Sequence, residues 1–264
     1  MPHKKREEIM EYGFCTGFAT NPLWMIEDEM VASIKAAGFD YPEFPVMTYS
    51  RMDEYSFSHL KEIASAPVAC NLFPGDVLLS DTDRDLDMVK DYLDIALKRS
   101  RELGIEKIVF GSGKARRYSE TTGYEEGRKN LFNTIEEVII PKAKEWGVTI
   151  LIEPLTKGEC NLINTVEEGY KISEYFNDDS LLLMADLFHM KNNGESLSTL
   201  EKCFDKIKHV HIAGEERSLE NIKSDGFIIQ GLKLLKTLGY DGTISFETID
   251  GDKKEALEWL KNNI

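Results

Sequence analysis

The 264-residue sequence has no apolar run approaching the roughly 20 residues that a membrane-spanning helix needs. Its opening segment, MPHKKREEIM, is charged and lacks the apolar core of a secretory signal peptide. The four cysteines are far apart and form no CxxC pair, which argues against a disulfide framework and a structural zinc site. We therefore expect a cytoplasmic protein with reduced thiols and no membrane association.

Positive charge is also scarce, since 32 Lys and Arg residues stand against 47 Asp and Glu residues and the net charge is −15. Nucleic-acid affinity comes largely from lysine and arginine side chains that release counterions from phosphates. The composition therefore argues against a nucleic-acid partner and favours a small-molecule ligand.

What the sequence does have is a regular alternation of short apolar runs with amphipathic helical stretches. Eight runs read as strands, and eight parallel strands with intervening helices form a (β/α)8 TIM barrel, typically of about 250 residues. We predict one such α/β domain over residues 1–264. The predicted strands are Glu11–Phe18, Tyr41–Met47, Val68–Phe73, Lys107–Gly111, Thr149–Pro154, Leu181–Phe188, His209–Ala213 and Gly242–Thr248.

An open doubly wound sheet would show the same alternation of strands and helices. It would place a GxGxxG turn after an early strand, whereas Gly111-Ser112-Gly113 is not continued in that pattern. Helical periodicity is clear between the predicted strands, and Thr165 is a suitable N-cap for one of the helices. The predicted helices include Asp85–Leu103, Gly127–Trp146, Thr165–Phe176 and Asp252–Asn262.

Four consecutive predicted strands carry a polar residue near their C-terminal ends, where the active sites of TIM barrels lie. The strand sequences are TILIEP, LLLMAD, HVHIAG and TISFET, and they carry Glu153, Asp186, His211 and Glu247. Three buried carboxylates would repel one another unless a cation neutralised them. We therefore predict one divalent metal ion, with Mn2+ or Mg2+ preferred and Zn2+ or Co2+ also compatible with these ligands.

Two histidines lie on the seventh predicted strand. His209 and His211 are two positions apart, so their side chains face the same side of the strand. His211 is closer to the C-terminal end and is assigned to the metal, whereas His209 is expected to be an interior residue.

These segments together resemble the xylose isomerase-like superfamily of sugar isomerases and epimerases, which includes ketose 3-epimerases, hydroxypyruvate isomerases and inosose dehydratases. The resemblance extends over nearly the whole chain and rests on IEPLTKGECN, ADLFHM, HVHIAGEER and SFET. It implies that Glu153 and Glu247 are both metal ligands and the acid and base pair on the two faces of the substrate. It also implies that Glu159, His189 and Arg217 bind the substrate.

The resemblance implies an isomerase or epimerase that removes a proton next to the carbonyl of a small polyhydroxy compound and passes through an enediolate. A dehydratase of the inosose or dehydroshikimate type would begin with the same proton removal, so it is retained as an alternative. An apurinic endonuclease-like phosphodiesterase is disfavoured, because five histidines are few for its three zinc ions. Barrels of this type often pair through exposed helices and loops, so a homo-oligomer is compatible with the sequence.

The loop after the fourth strand, GSGKARRYSETTGYEEG, departs from the ketose 3-epimerase pattern. It carries Lys114, Arg116 and Arg117, which suit a phosphate or a carboxylate on the substrate. The alternative is a solvated basic loop that offsets the nearby acidic residues Glu120, Glu125 and Glu126.

Overall fold

A computed structural model of the chain describes residues 10–16, 26, 28–249 and 251–264. Eight parallel strands pair in sequential order and close into a barrel, as predicted. All eight predicted strands are present but end earlier than predicted, and Phe18, the predicted end of the first, lies outside the described residues. The strands are β1 (Glu11–Cys15), β2 (Tyr41–Pro45), β3 (Val68–Cys70), β4 (Lys107–Phe110), β5 (Thr149–Ile152), β6 (Leu181–Asp186), β7 (Ile207–Ile212) and β8 (Thr243–Phe246).

Helices follow the strands and cover the outside of the barrel. Short 3-10 turns at Phe204–Lys206 and Glu215–Arg217 and a π-helical segment at Ile135–Ile139 accompany them. The α-helices are α1 (Asp28–Ala37), α2 (Val46–Tyr49), α3 (Glu54–Ile63), α4 (Leu86–Glu102), α5 (Gly113–Arg116), α6 (Gly123–Thr134), α7 (Ile140–Trp146), α8 (Val166–Phe176), α9 (Leu187–Asn192), α10 (Ser198–Cys203), α11 (Leu219–Ile222), α12 (Gly226–Thr237) and α13 (Lys253–Asn263).

The predicted N-cap at Thr165 is confirmed. Its side chain accepts a hydrogen bond from the backbone N–H of Glu168, and the Glu168 carboxylate accepts one from the backbone N–H of Thr165. This reciprocal pair satisfies two N–H groups that the first turn of a helix leaves unbonded. The helix ends at Asn177, which takes the left-handed conformation.

The predicted helix Gly127–Trp146 corresponds to α6, the π-helical segment and α7 in succession, and it begins four residues earlier than predicted. Pro141 lies at the start of α7. Proline has no backbone N–H to continue the α-helical hydrogen bonds, and the wider π turn directly before it accommodates this loss.

Strand register determines which side chains meet at the mouth of the barrel. Asp186 on β6 is paired with His211 on β7. Glu153 and Glu247 directly follow the last residues of β5 and β8. The closed barrel therefore brings the polar strand ends to one rim, above an interior filled by buried side chains. Among the described helices, none combines the length and apolar character needed to cross a membrane.

Candidate metal centre and substrate cavity

The ligand atoms of Glu153, Asp186, His211 and Glu247 lie within 4.8 Å of one another. All four residues are buried. Nδ1 of His211 is 3.4 Å from Oε1 of Glu153 and 3.7 Å from Oε2 of Glu247. The structure thus brings together the four residues that the strand ends singled out, in a group able to surround one ion.

Local structure orients two of these carboxylates. Oδ1 of Asp186 caps α9 by accepting hydrogen bonds from the backbone N–H groups of Phe188, at 2.7 Å, and His189, at 3.2 Å. This leaves Oδ2 of Asp186 directed into the cluster. Gly111 makes room for the second carboxylate, because a Cβ atom at this position would lie 2.0 Å from Oε2 of Glu153. The glycine that resembled part of a dinucleotide-binding turn therefore provides space for Glu153.

Three polar atoms of the cluster have no hydrogen-bond partner in the described part of the chain: Oε1 of Glu153, Oδ2 of Asp186 and Nδ1 of His211. Buried polar atoms without partners are rare in native proteins, because burial without a hydrogen bond costs free energy. Oxygen atoms from three carboxylates and one imidazole nitrogen are suitable ligands for a hard or borderline divalent ion. The residues therefore fit a metal site.

Glu43 is a component of the site that the sequence analysis missed. It lies in the middle of β2, is fully buried, and contacts both histidines of β7. Its Oε1 is 2.9 Å from Nε2 of His211, and its Oε2 is 3.2 Å from Nε2 of His209. The available signal was a glutamate within an otherwise apolar strand, because such a residue needs a partner inside the protein.

Electrostatics join Glu43 and His211 into a charged pair. Burial alone would raise the pKa of Glu43, but the charge and hydrogen bond of His211, with a contribution from His209, hold it well below its usual value. Burial alone would lower the pKa of His211, but Glu43 and Glu153 raise it well above the ordinary value. Because Nε2 of His211 faces Glu43, the bond to this carboxylate directs the other ring nitrogen, Nδ1, toward the cluster.

His209 occupies the interior position that was expected for it. Its Nδ1 lies 2.8 Å from Oγ1 of Thr243, and its ring is fully buried. Burial lowers the pKa of His209 to about 4, so the ring is neutral near neutral pH. His209 therefore lies inside the barrel, next to Glu43, and is not one of the four clustered residues.

The three predicted substrate-binding residues lie beside the cluster. The guanidinium of Arg217 contacts the carboxylate of Glu247, and its Nη2 is 3.1 Å from Nε2 of His189. Oε1 of Glu159 is 3.7 Å from Nη2 of Arg217 and 3.9 Å from Nδ1 of His189. Glu159 is half-exposed, whereas the other two are buried.

His189 has a buried, neutral ring beside the cluster. Burial, assisted by the charge of Arg217, lowers the pKa of His189 to about 4, so its ring is neutral near neutral pH. The backbone N–H of Thr156 points at Nδ1 from 3.3 Å. A neutral imidazole has one donor and one acceptor nitrogen, so it can accept from only one of the two N–H groups that face it, that of Thr156 at Nδ1 or that of Arg217 at Nε2. Nε2 is the nitrogen that faces Asp186 and Arg217.

Arg217 reaches the site from a strained turn. Both Glu216 and Arg217 have positive φ angles, of 56° and 55°. A residue other than glycine in this conformation costs about 1–3 kcal/mol, and such strain concentrates at functional sites. The guanidinium lies 4.3 Å from the centroid of the Phe188 ring, and the backbone carbonyl accepts a hydrogen bond from the N–H of Ile249. These contacts stabilise the turn.

A cavity of about 780 Å³ opens above the cluster. Its volume lies within the range of small-molecule sites, which is about 300–1,000 Å³. The residues that line it are Met47, Asn71, Phe73, Gly75, Ser112, Gly113, Lys114, Arg117, Glu153, Leu155, Gly158, Glu159, His189, Arg217 and Glu247.

The three basic residues of the loop after β4 have different environments. Lys114 and Arg117 line the cavity. Arg116 instead is fully buried, and its guanidinium donates a hydrogen bond to the carbonyl oxygen of Phe110 at 3.1 Å. Arg116 therefore neither contacts the substrate nor belongs to a solvated loop, because its side chain packs inside the protein.

The chain was compared with known proteins. A sequence model of the xylose isomerase-like TIM barrel family matches residues 31–263. An L-ribulose 3-epimerase of Mesorhizobium japonicum is 24% identical over 230 residues, which cover 85% of this chain and 76% of that protein. A probable ketose 3-epimerase of Synechocystis sp. is 25% identical over 249 residues, which cover 87% of this chain and 80% of that protein.

Among solved structures, a D-allulose 3-epimerase from Methylomonas sp. in complex with D-allulose superimposes with a TM-score of 0.81. The two chains are 19% identical, and the match covers 97% of this chain and 98% of the other. This likeness supports the fold seen here.

Replacing Glu43 with glutamine is expected to weaken divalent-metal binding by about 10- to 100-fold, because the carboxylate that orients a metal-binding histidine contributes this much to affinity. Calorimetric titration of the metal-free protein with Mn2+ measures the change. Glu136→Gln, an exposed position on the outer π-helical segment, is the matched control and should bind like the wild type. Equal affinity in Glu43→Gln and the control would contradict the role of Glu43.

Metal binding is expected to release more protons at pH 6 than at pH 8.5. Burial, together with the charges of Glu247 and Asp186, raises the pKa of Glu153 to about 7. The carboxyl therefore holds a proton below this pH, and a bound cation must displace it. Apparent Mn2+ affinity should consequently rise with pH through 7, with a difference of about one released proton between the two pH values. Calorimetry in buffers of different ionisation enthalpy counts the protons, and a count that does not change with pH would contradict the displacement of a proton from Glu153.

Proposed function

Because this chain belongs to the xylose isomerase-like TIM barrel family, we propose that it is a divalent-metal-dependent epimerase acting beside the carbonyl group of a ketose-like compound. Its similarity to ketose 3-epimerases over more than four fifths of its length makes it an isomerase. The observation that carries the finer proposal is the buried cluster in which Glu153 and Glu247 approach one cavity together with Asp186 and His211.

We propose that Glu153, Asp186, His211 and Glu247 hold one ion, Mn2+ or Mg2+ by preference. The unpartnered atoms of the cluster support this assignment, since they are the atoms that an ion would contact. A bound divalent ion would supply Lewis-acid stabilisation for the negative charge that develops on the substrate oxygens. Without a cation, three carboxylates would be buried together beside Arg217, His211 and the neutral ring of His189.

Epimerisation requires that a proton leave one face of a carbon and return to the other. Glu247, beside the guanidinium of Arg217, is the proposed base that removes the proton next to the carbonyl and leaves an enediolate. Glu153 is the proposed acid that delivers a proton to the other face of the carbon. The two residues exchange roles in the reverse direction.

Three further residues are proposed to hold the substrate. Arg217 and His189 offer N–H donors to its oxygen atoms, and the Glu159 carboxylate accepts hydrogen bonds from its hydroxyl groups. All three line the same cavity as the two catalytic carboxylates. Fixing the substrate in this way converts proton transfer into a step between groups already in position.

Proton NMR in D2O tests the proposal. The metal-loaded protein is incubated with a panel of ketoses, aldoses, hydroxypyruvate, inososes and sugar phosphates. Deuterium entering at C3 of a ketose, with formation of the C3 epimer, is the expected result. Deuterium at C1 would identify an aldose–ketose isomerase instead, and loss of water would identify a dehydratase. Activity that persists after complete metal removal would contradict the proposed metal dependence.

Replacing Glu247 with glutamine should reduce deuterium exchange by about 10²- to 10⁴-fold, the usual contribution of a positioned acid or base. Metal content is measured on the same sample, because Glu247 is also a proposed ligand. The matched control is Glu220→Gln, an exposed position in the first turn of α11, which should exchange at the wild-type rate. Substantial residual exchange in Glu247→Gln would remove Glu247 from the acid and base pair.

A further inference from the structure

Charge is distributed unevenly over the lining of the substrate cavity. The carboxylates that line it are Glu153, Glu159 and Glu247. Glu247 and Glu159 both face Arg217, and Glu153 faces His211. These three carboxylates therefore pair with the cationic groups of the cluster. They do not pair with Lys114 and Arg117, the two basic residues that line another part of the cavity.

The topology places these two basic residues across the mouth of the barrel from part of the catalytic machinery. Lys114 and Arg117 follow β4, whereas Glu247 follows β8 and Arg217 follows β7. In a closed barrel with strands in sequential order, β4 is four strands from β8. A substrate that reaches from Glu247 across the cavity would therefore present its other end to the loop after β4.

Contacts hold both side chains at the cavity without neutralising them. Nη2 of Arg117 donates a hydrogen bond to the carbonyl oxygen of Gly158 at 2.8 Å, which leaves its other donors available. The stem of Lys114 lies against Gly75, where an added Cβ would be 3.0 Å from Cβ and Cδ of Lys114. Lys114 has no side-chain hydrogen bond or ion pair within the described ranges.

Lys114 and Arg117 are exposed, but they do not make the charge pairs expected of a basic loop that offsets its own acidic residues. That interpretation expects Lys114 and Arg117 to offset Glu120, Glu125 and Glu126, but the ion pairs of the described residues include none between these groups. Glu126 pairs with Lys129 instead. Within the part of the chain that the structure describes, Lys114 and Arg117 have no carboxylate partner. In a chain with a net charge of −15, these two cavity-lining residues form a local positive region suited to an anion.

We propose that the substrate carries a terminal anionic group, a phosphate monoester or a carboxylate, which Lys114 and Arg117 bind across the cavity from Glu247. The guanidinium of Arg117 offers parallel N–H donors to two oxygens of such a group, and Lys114 adds a point charge. This inference rests on the proposed function, because it names the class of ketose on which the same site acts.

A matched set of three ligands tests the inference: a neutral ketose, its terminal phosphate ester and the analogue with a terminal carboxylate. With the metal-loaded wild type, kcat/KM for one of the two anionic forms should exceed that for the neutral ketose by roughly ten- to a hundredfold. The double variant K114A/R117A should lose this preference, because its kcat/KM should fall much more for the anionic ligand than for the neutral ketose. Preference for the phosphate identifies a sugar phosphate, and preference for the carboxylate identifies a sugar acid.

Lys157→Ala is the control, since Lys157 is exposed beside Gly158 but does not line the cavity, and it should keep the preference. Calorimetric binding of the same three ligands separates this inference from the proposed function. If the anionic ligands bind to the wild type but not to K114A/R117A, and no ligand exchanges a proton, the anion site is supported and the proposed epimerase activity is contradicted. Equal turnover of all three ligands, or an anion preference that persists in K114A/R117A, would contradict the anion site and support the epimerase activity.

Discussion

The burial of three carboxylates at one rim of the barrel is the constraint on which the rest of the site depends. Each buried carboxylate loses its hydration, and the repulsion among Glu153, Asp186 and Glu247 adds to that cost. The raised pKa of Glu153 is a direct consequence of this burial. Positive charge must therefore converge on the cluster, and it is supplied by Arg217 together with either protonated His211 or, when His211 acts as a neutral ligand, the proposed divalent ion.

The surrounding backbone is adapted to this cluster. Gly111 on one side leaves space that the carboxylate of Glu153 fills, and any larger residue would displace it. On the other side, Arg217 accepts a left-handed conformation so that its guanidinium reaches Glu247. Beneath the rim, Glu43 contacts His211 and His209 and extends the network one layer into the barrel. Reactivity at the rim thus depends on residues in adjacent loops and in the interior.

The strand count, the barrel and the four clustered residues were predictable because each follows from a local pattern. Apolar runs of strand length alternate with helical periodicity, and polar residues that end such runs meet at one rim in any closed parallel barrel. The ends of β2 and β6 were predicted too late, because the apolar residues Val46, Met47, Leu187 and Phe188 continue the pattern but belong to the helices that follow directly. Glu43 was missed because it lies within a strand rather than at its end, so its importance depends on neighbours distant in sequence.

The sequence by itself determined the order of elements, the barrel class and the residue types available for a metal site, because hydrophobic periodicity and strand-end chemistry are local properties. Only the tertiary structure decided which basic residues of the loop after β4 line the cavity, since Lys114 and Arg117 do and Arg116 packs against Phe110. It also decided that the carboxylate of Glu43 contacts His211, 168 residues away. The physical reason is that burial and charge pairing arise between segments that closure of the barrel brings together.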